Sequence, residues 1–231
     1  MKNIFSYIIL LFVLLQFSAY GQNVNITNWV NWNKYAAANE SLVLPAAGEK
    51  RVVFYGNSIT ESWALIDSSF FKVNGYLDRG ISGQTSSQML IRFRQDVIDL
   101  KPDLVVILAG TNDIAENAGP IALKYVFGNI VSMVQLAHIN NIKVIISSVL
   151  PAYKFPWRSD LQPAEQIVKL NSMLKSYCDE NKISYVDYYP LLVDERKGLD
   201  PKYTKDGVHP TLDGYKIMEA LVQESIKKML E

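Results

Sequence analysis

Apolar and β-branched positions gather in five short runs: Arg51–Tyr55, Val73–Arg79, Asp103–Ala109, Ile142–Val149 and Ser184–Tyr188. Runs of this length, bounded by Gly, Pro, Asn and Asp, predict buried strands. Between and after them the apolar spacing changes to three and four residues, over Ser86–Leu100, Ile121–Asn140, Pro163–Asn181 and Thr211–Leu230, which predicts helices. Strands that alternate with helices are joined by crossovers, so the expectation is a three-layer α/β/α arrangement around a parallel, five-stranded sheet. The segment Val24–Lys50, with Trp29, Trp32 and Tyr35, precedes the first strand and is expected to pack as an N-terminal helical extension.

The extreme N-terminus has a different pattern. Met-Lys-Asn is followed by an apolar run from Ile4 to Phe17, then by Ser18-Ala19-Tyr20-Gly21 and polar Gln22. This order predicts a secretory signal peptide over residues 1–21, with the mature chain starting near Gln22. The run of 14 residues is shorter than the ~20 needed to span a bilayer. An exported protein, periplasmic or extracellular, without stable membrane insertion after removal of the signal is therefore expected.

The 23 basic and 23 acidic residues of the 231 leave no net field to attract nucleic acid, so a neutral small molecule or glycan is the expected partner. No internal repeat or low-complexity linker interrupts residues 22–231, which are expected to form one domain. Although export permits disulfides, the single cysteine, Cys178, sits at helical spacing from Leu170 and Leu174 and is expected to be a buried small hydrophobe.

In open parallel sheets ligands bind beyond the carboxyl ends of the strands, which directs attention to the loops starting at Gly56, Gly80, Gly110, Pro151 and Pro190. Ser58, in Gly56-Asn57-Ser58-Ile59-Thr60, is either a helix N-cap or an exposed hydroxyl. A serine nucleophile needs a base, and the chain offers two histidines. His138 ends a helical stretch and has the position of a structural helix C-terminal residue. His209 stands in Asp206-Gly207-Val208-His209-Pro210, where the glycine lets the carboxylate curl back to one ring nitrogen; a turn preceding the last helix accounts for the same residues. In Gly110-Thr111-Asn112-Asp113 the Asn112 amide either donates into the cleft or makes an Asx turn, and in Gly80-Ile81-Ser82-Gly83-Gln84-Thr85 Gly83 either presents a bare N–H or only turns the chain. Two isolated histidines and one helical cysteine do not make a metal site, so neither metal nor cofactor is expected. The Gly-x-Ser-x-Gly elbow of α/β-hydrolases is absent, position 60 being threonine.

Taken in order, these four segments resemble the conserved blocks of the SGNH hydrolases, also called GDSL esterases and lipases, over about Val52 to Tyr215. The resemblance implies a flavodoxin-like sandwich and serine esterase chemistry. It implies Ser58 as nucleophile, His209 as general base and Asp206 as its orienting carboxylate, with an oxyanion hole formed by the N–H groups of Ser58 and Gly83 and the side chain of Asn112. One departure stands out: the family's Gly-Asp-Ser is Gly-Asn-Ser here, with Asn57 in the aspartate's place.

The family's alcohols vary widely, so the surroundings must indicate the substrate. Trp63, Tyr153 and Trp157 are candidate sugar-stacking aromatics; packing accounts for Trp157 equally well and for Trp63 better. Export and the aromatic loop Pro151–Arg158 favour acetyl-ester removal from carbohydrate. The alternatives are a lysophospholipase or thioesterase, and a non-catalytic glycan-binding protein on the same scaffold.

Overall fold

The computed structural model describes residues 25–46 and 48–231, so the expected signal segment 1–21 lies outside the described residues. Two five-residue helices, α1 (Ile26–Val30) and α2 (Ala36–Glu40), come first. The chain then runs through β1 (Val52–Gly56), α3 (Ser58–Ile66), α4 (Ser68–Asn74), β2 (Leu77–Gly80), α5 (Ser86–Asp96) and a 3-10 turn at Ile98–Leu100. It continues through β3 (Leu104–Leu108), α6 (Thr111–Ile114), α7 (Leu123–Ile139), β4 (Lys143–Ser147), α8 (Ala164–Asn181), β5 (Ser184–Val186), α9 (Tyr189–Leu192) and α10 (Leu212–Leu230).

All strand pairs are parallel, in the order β2-β1-β3-β4-β5. This is the flavodoxin-like order, with its switch point between β1 and β3. Side chains alternate across the sheet. Val53, Tyr55, Val105 and Ile107 face α5, α7 and α8, where they pack with Phe93, Val134, Leu174 and a fully buried Cys178. Burial pushes the Cys178 thiol up to about 12, so it is not poised as a thiolate. Phe54, Val106 and Leu108 belong to the opposite core with residues of α3, α4 and α10, including Trp63, Phe70, Tyr215 and Val222. Among the described residues no helix is long and apolar enough to cross a membrane.

Two strand expectations are corrected. The run Val73–Arg79 is not one strand: Val73 is exposed on the last turn of α4, Gly75 ends that helix with φ 68°, and β2 starts at Leu77. An apolar residue on a helix's outer face imitates the start of a strand. The run Ser184–Tyr188 is also shorter than expected, because Tyr188 leads into α9 with Pro190 in its first turn.

The two N-terminal helices lie against α5 and leave main-chain carbonyls that glutamines satisfy. Gln84 Nε2 donates to Val30 O at 2.5 Å, Gln88 Nε2 to Trp29 O at 2.7 Å and Gln95 Nε2 to Trp32 O at 2.7 Å. Tyr35 donates its hydroxyl to Gly80 O at 2.5 Å, which ties this segment to the end of β2.

Arg92 is fully buried and donates to Gly56 O, Arg79 O, Gln84 Oε1 and Asp96 Oδ2 at 2.5–3.0 Å, with its guanidinium over the Tyr55 ring. It thus braces the ends of β1 and β2. Arg92→Leu removes the donors to Asp96 Oδ2 and Gln84 Oε1, both buried, and is expected to cost about 3–5 kcal/mol in urea unfolding. A loss below about 1 kcal/mol would mean that the network is stabilised by other contacts.

Candidate active site

Three successive strands of the sheet, β2, β1 and β3, deliver Gly83, Ser58 and Asn112 from their carboxyl ends. Ser58 is the first residue of α3, and Asn57 caps the helix by accepting the Ile59 N–H at 3.0 Å. Gly56 is required by close approach: a Cβ there would come 2.0 Å from Thr60 Oγ1. The Ser58 N–H stands at the positive end of a nine-residue helix, before intrahelical bonding begins. Asn57 is buried, and its Nδ2 has no hydrogen-bond partner among the described residues. An aspartate in that place would have no such donor to satisfy.

His209 and Asp206 come from the loop before α10. His209 Nε2 lies 2.9 Å from Ser58 Oγ across 151 positions of sequence, and His209 Nδ1 lies 2.7 Å from Asp206 Oδ2. The other carboxylate oxygen, Asp206 Oδ1, accepts the N–H groups of Val208 at 2.9 Å and His209 at 2.8 Å. That curl needs Gly207 at φ 82°, in the left-handed region. Burial alone would raise the Asp206 carboxyl, but donation from the His209 main chain, the His209 ring and the Val208 main chain outweighs it and holds the group at about 2. Asp206 is therefore ionised near neutrality. Thr204 braces the turn: its hydroxyl donates to His209 O at 2.9 Å and accepts the Gly207 N–H at 3.0 Å.

Gly83, with φ 78°, is the third residue of a turn closed by Gln84 N–H to Ile81 O at 3.3 Å, and its own N–H donates to no acceptor among the described residues. Asn112 is buried; its Nδ2 donates to Gln84 O at 2.9 Å and its Oδ1 accepts from Asn117 Nδ2 at 3.0 Å. Next to it, Asp113 accepts the N–H and hydroxyl of Ser86 at the start of α5, while burial pushes its carboxyl up to about 6. Glu61 of α3 accepts the Ser82 N–H at 2.7 Å and so holds the Gly83 turn from the other side.

The aromatic candidates divide. Trp63 is corrected: it is 1% exposed, stacked on Phe70 and Tyr215, with its indole N–H donating to Glu219 at 3.1 Å, and no substrate can reach it. Tyr153 is 46% exposed beneath the Arg196 guanidinium, and Trp157 is 44% exposed, stacked on Phe155 and donating to Asn117 Oδ1 at 2.9 Å. A cavity of about 280 Å³ joins Tyr153, Phe155 and Arg196 to Asp206 and Gly207. A larger cavity of about 500 Å³ runs along β5 by Tyr185 and Leu221 and touches none of these residues, so size does not mark the site. His138 lies exposed at the C-terminal end of α7, which leads into the start of β4, and faces the other end of the sheet.

Asn117, Thr204 and Glu61 escaped the sequence reading. Thr204-x-Asp206-Gly207 carries the local signal of a hydroxyl-braced turn. Asn117 and Glu61 carry none, because their partners come from distant segments.

Comparison with known proteins places this architecture. A crystal structure of a Bacteroides fragilis protein assigned as an acylhydrolase is 55% identical and superposes with a TM-score of 0.87, covering 88% of this chain and 99% of that one. A GDSL-like lipase from Bacteroides thetaiotaomicron is 56% identical with a TM-score of 0.84, covering 86% and 98%. An acetylxylan esterase from Geobacillus stearothermophilus, crystallised as a catalytic mutant, shares the fold at 17% identity with a TM-score of 0.62, covering 80% and 95%. A curated relative, an uncharacterized lipoprotein of Bacillus subtilis (strain 168), is 33% identical over 78 residues, and the match spans 32% of this chain and 32% of that protein. The model of the GDSL-like lipase/acylhydrolase family matches residues 54–217, most of the chain, and the protein belongs to this ester-hydrolysing family.

Proposed function

We propose that this protein is an exported serine esterase that removes short acyl groups, acetyl above all, from carbohydrate. The observation that carries the reading is the continuous relay from Ser58 Oγ through His209 to Asp206, at 2.9 and 2.7 Å. His209 Nε2 takes the Ser58 hydroxyl proton as Oγ bonds to the ester carbonyl carbon. The resulting oxyanion is met by the N–H groups of Ser58 and Gly83 and by the remaining Nδ2 hydrogen of Asn112. Collapse breaks the bond to the alcohol oxygen, which leaves with the proton from His209. Water, deprotonated by the same nitrogen, then attacks the acyl-serine. The bond from the acyl carbon to Ser58 Oγ breaks as His209 returns the proton to Oγ, which releases the carboxylic acid. Asp206, ionised and anchored by two main-chain N–H groups, stabilises the imidazolium formed in each half.

Support for a carbohydrate alcohol comes from half-exposed Tyr153 and Trp157 on one loop and from the cavity joining that loop to Asp206. The acetylxylan esterase of the same fold agrees with a sugar ester, and the apolar N-terminal run and the lipoprotein relative agree with export. The test is a chain-length profile. The ratio kcat/KM is expected to be at least about tenfold higher for p-nitrophenyl acetate than for the octanoate, with acetate released from acetylated xylo-oligosaccharides. Preference for the octanoate would overturn the substrate assignment in favour of a lysophospholipase or thioesterase activity.

A further inference from the structure

Resting on the reading that Asn112 donates to the oxyanion, we propose that Asn117 is a positioning residue for that donor and that Trp157 fixes which way Asn117 points. An amide side chain has two ends of nearly equal shape and opposite hydrogen-bonding character, so packing alone does not choose which end faces the cleft. Partners of a single character choose. Trp157 Nε1 can only donate, and it lies 2.9 Å from Asn117 Oδ1. That contact turns Asn117 Nδ2 inward, 3.0 Å from Asn112 Oδ1 and 3.4 Å from Gly83 O. At the far end the Gln84 carbonyl can only accept, and it receives Asn112 Nδ2 at 2.9 Å. The relay from Trp157 through Asn117 and Asn112 to Gln84 therefore runs in one sense, and both ends impose the same orientation on Asn112.

The consequence for the site is specific. With Asn112 Oδ1 occupied and one Nδ2 hydrogen on Gln84, the second Nδ2 hydrogen remains for the cleft. Asn117 also spans the two segments that carry proposed oxyanion donors, Gly83 and Asn112. Its turn is held in place: the Asn117 N–H returns to Asn112 O at 3.0 Å, and Arg158 donates to Ala115 O at 3.2 Å and pairs with Glu116 at 2.9 Å. Glu116 itself adopts φ 56°, a conformation that a residue other than glycine keeps when its surroundings impose it. The half-exposed aromatic loop and the oxyanion hole are thus joined by hydrogen bonds, so a change at Trp157 reaches the rate of reaction as well as binding.

A double-mutant cycle on p-nitrophenyl acetate tests this. Asn112→Ala is expected to lower kcat a hundred- to a thousand-fold, the usual effect of losing an oxyanion donor. Asn117→Ala is expected to lower kcat roughly tenfold with KM within about twofold, and to have no further effect in the Asn112→Ala background. Asn117→Asp, which keeps the shape and the Trp157 bond but sets an acceptor against Asn112 Oδ1, is expected to lose at least as much. Trp157→Phe is expected to lose less, again only when Asn112 is present. An unchanged kcat in Asn117→Ala, or the same loss in both backgrounds, would overturn the proposal while leaving the oxyanion role of Asn112 standing. No loss in Asn112→Ala would remove that role and this inference together.

Discussion

Replacing Ser58 by alanine is expected to lower kcat for p-nitrophenyl acetate by about ten-thousand-fold or more, with no change in the cooperativity of thermal unfolding. The effect is the largest expected, because in the proposed mechanism Ser58 is the group that forms the acyl intermediate. His209 and the proposed oxyanion donors remain in the variant, but His209 then has only water to activate. The change is small for the fold: the helix cap belongs to Asn57, whose Oδ1 accepts the Ile59 N–H, so α3 does not depend on the Ser58 hydroxyl. Equal rates in the two proteins would mean that hydrolysis runs through another group, and the relay of Ser58, His209 and Asp206 would then be structural.

Asp206→Asn is expected to be nearly as severe, about ten-thousand-fold in kcat, through the tautomer of His209 rather than through charge alone. Asp206 Oδ1 accepts two main-chain N–H groups, those of Val208 and His209, which can only donate. In the asparagine variant the single oxygen must stay with them, and the amide NH2 is turned toward His209 Nδ1. Nδ1 then accepts, the ring proton moves to Nε2, and Nε2 presents a hydrogen to Ser58 Oγ where the proposed mechanism has it take one. KM for p-nitrophenyl acetate is expected to change little, since in the proposed mechanism Asp206 acts on His209 rather than on the acyl group. A loss below about tenfold would show that His209 keeps its tautomer by other means, for instance through solvent at its exposed edge.

Much of the architecture was legible because it rests on local patterns. β1, β3 and the Val144–Ile146 stretch of β4 are apolar runs buried on both faces, as crossover-connected strands are, and α5, α7, α8 and α10 start within two residues of the expected positions. The failures occur where a local pattern has two meanings. Val73 is apolar, but it rides on the outer face of α4, because Gly75 ends that helix before the strand can start. Trp63 and Trp157 are the same residue type near the same cleft; one is sealed under Phe70 and Tyr215 and the other meets solvent. Nothing within a few residues of either tryptophan distinguishes them, since the covering side chains arrive from α4 and α10.

The sequence by itself determined the alternation of strand and helix, the family, and the residue types at the ends of β1, β2 and β3, because periodicity and turn chemistry act over a few neighbouring residues. Only the tertiary structure decided that Ser58 and His209, 151 positions apart, stand at 2.9 Å, that Arg92 ties the end of β1 to the turn bearing Gly83, and that Trp157 reaches Asn112 through Asn117. These are choices of direction and polarity. An amide, an imidazole or an indole keeps its composition whichever way it turns, and its orientation is set by partners with one hydrogen-bonding character that the fold brings from distant parts of the chain.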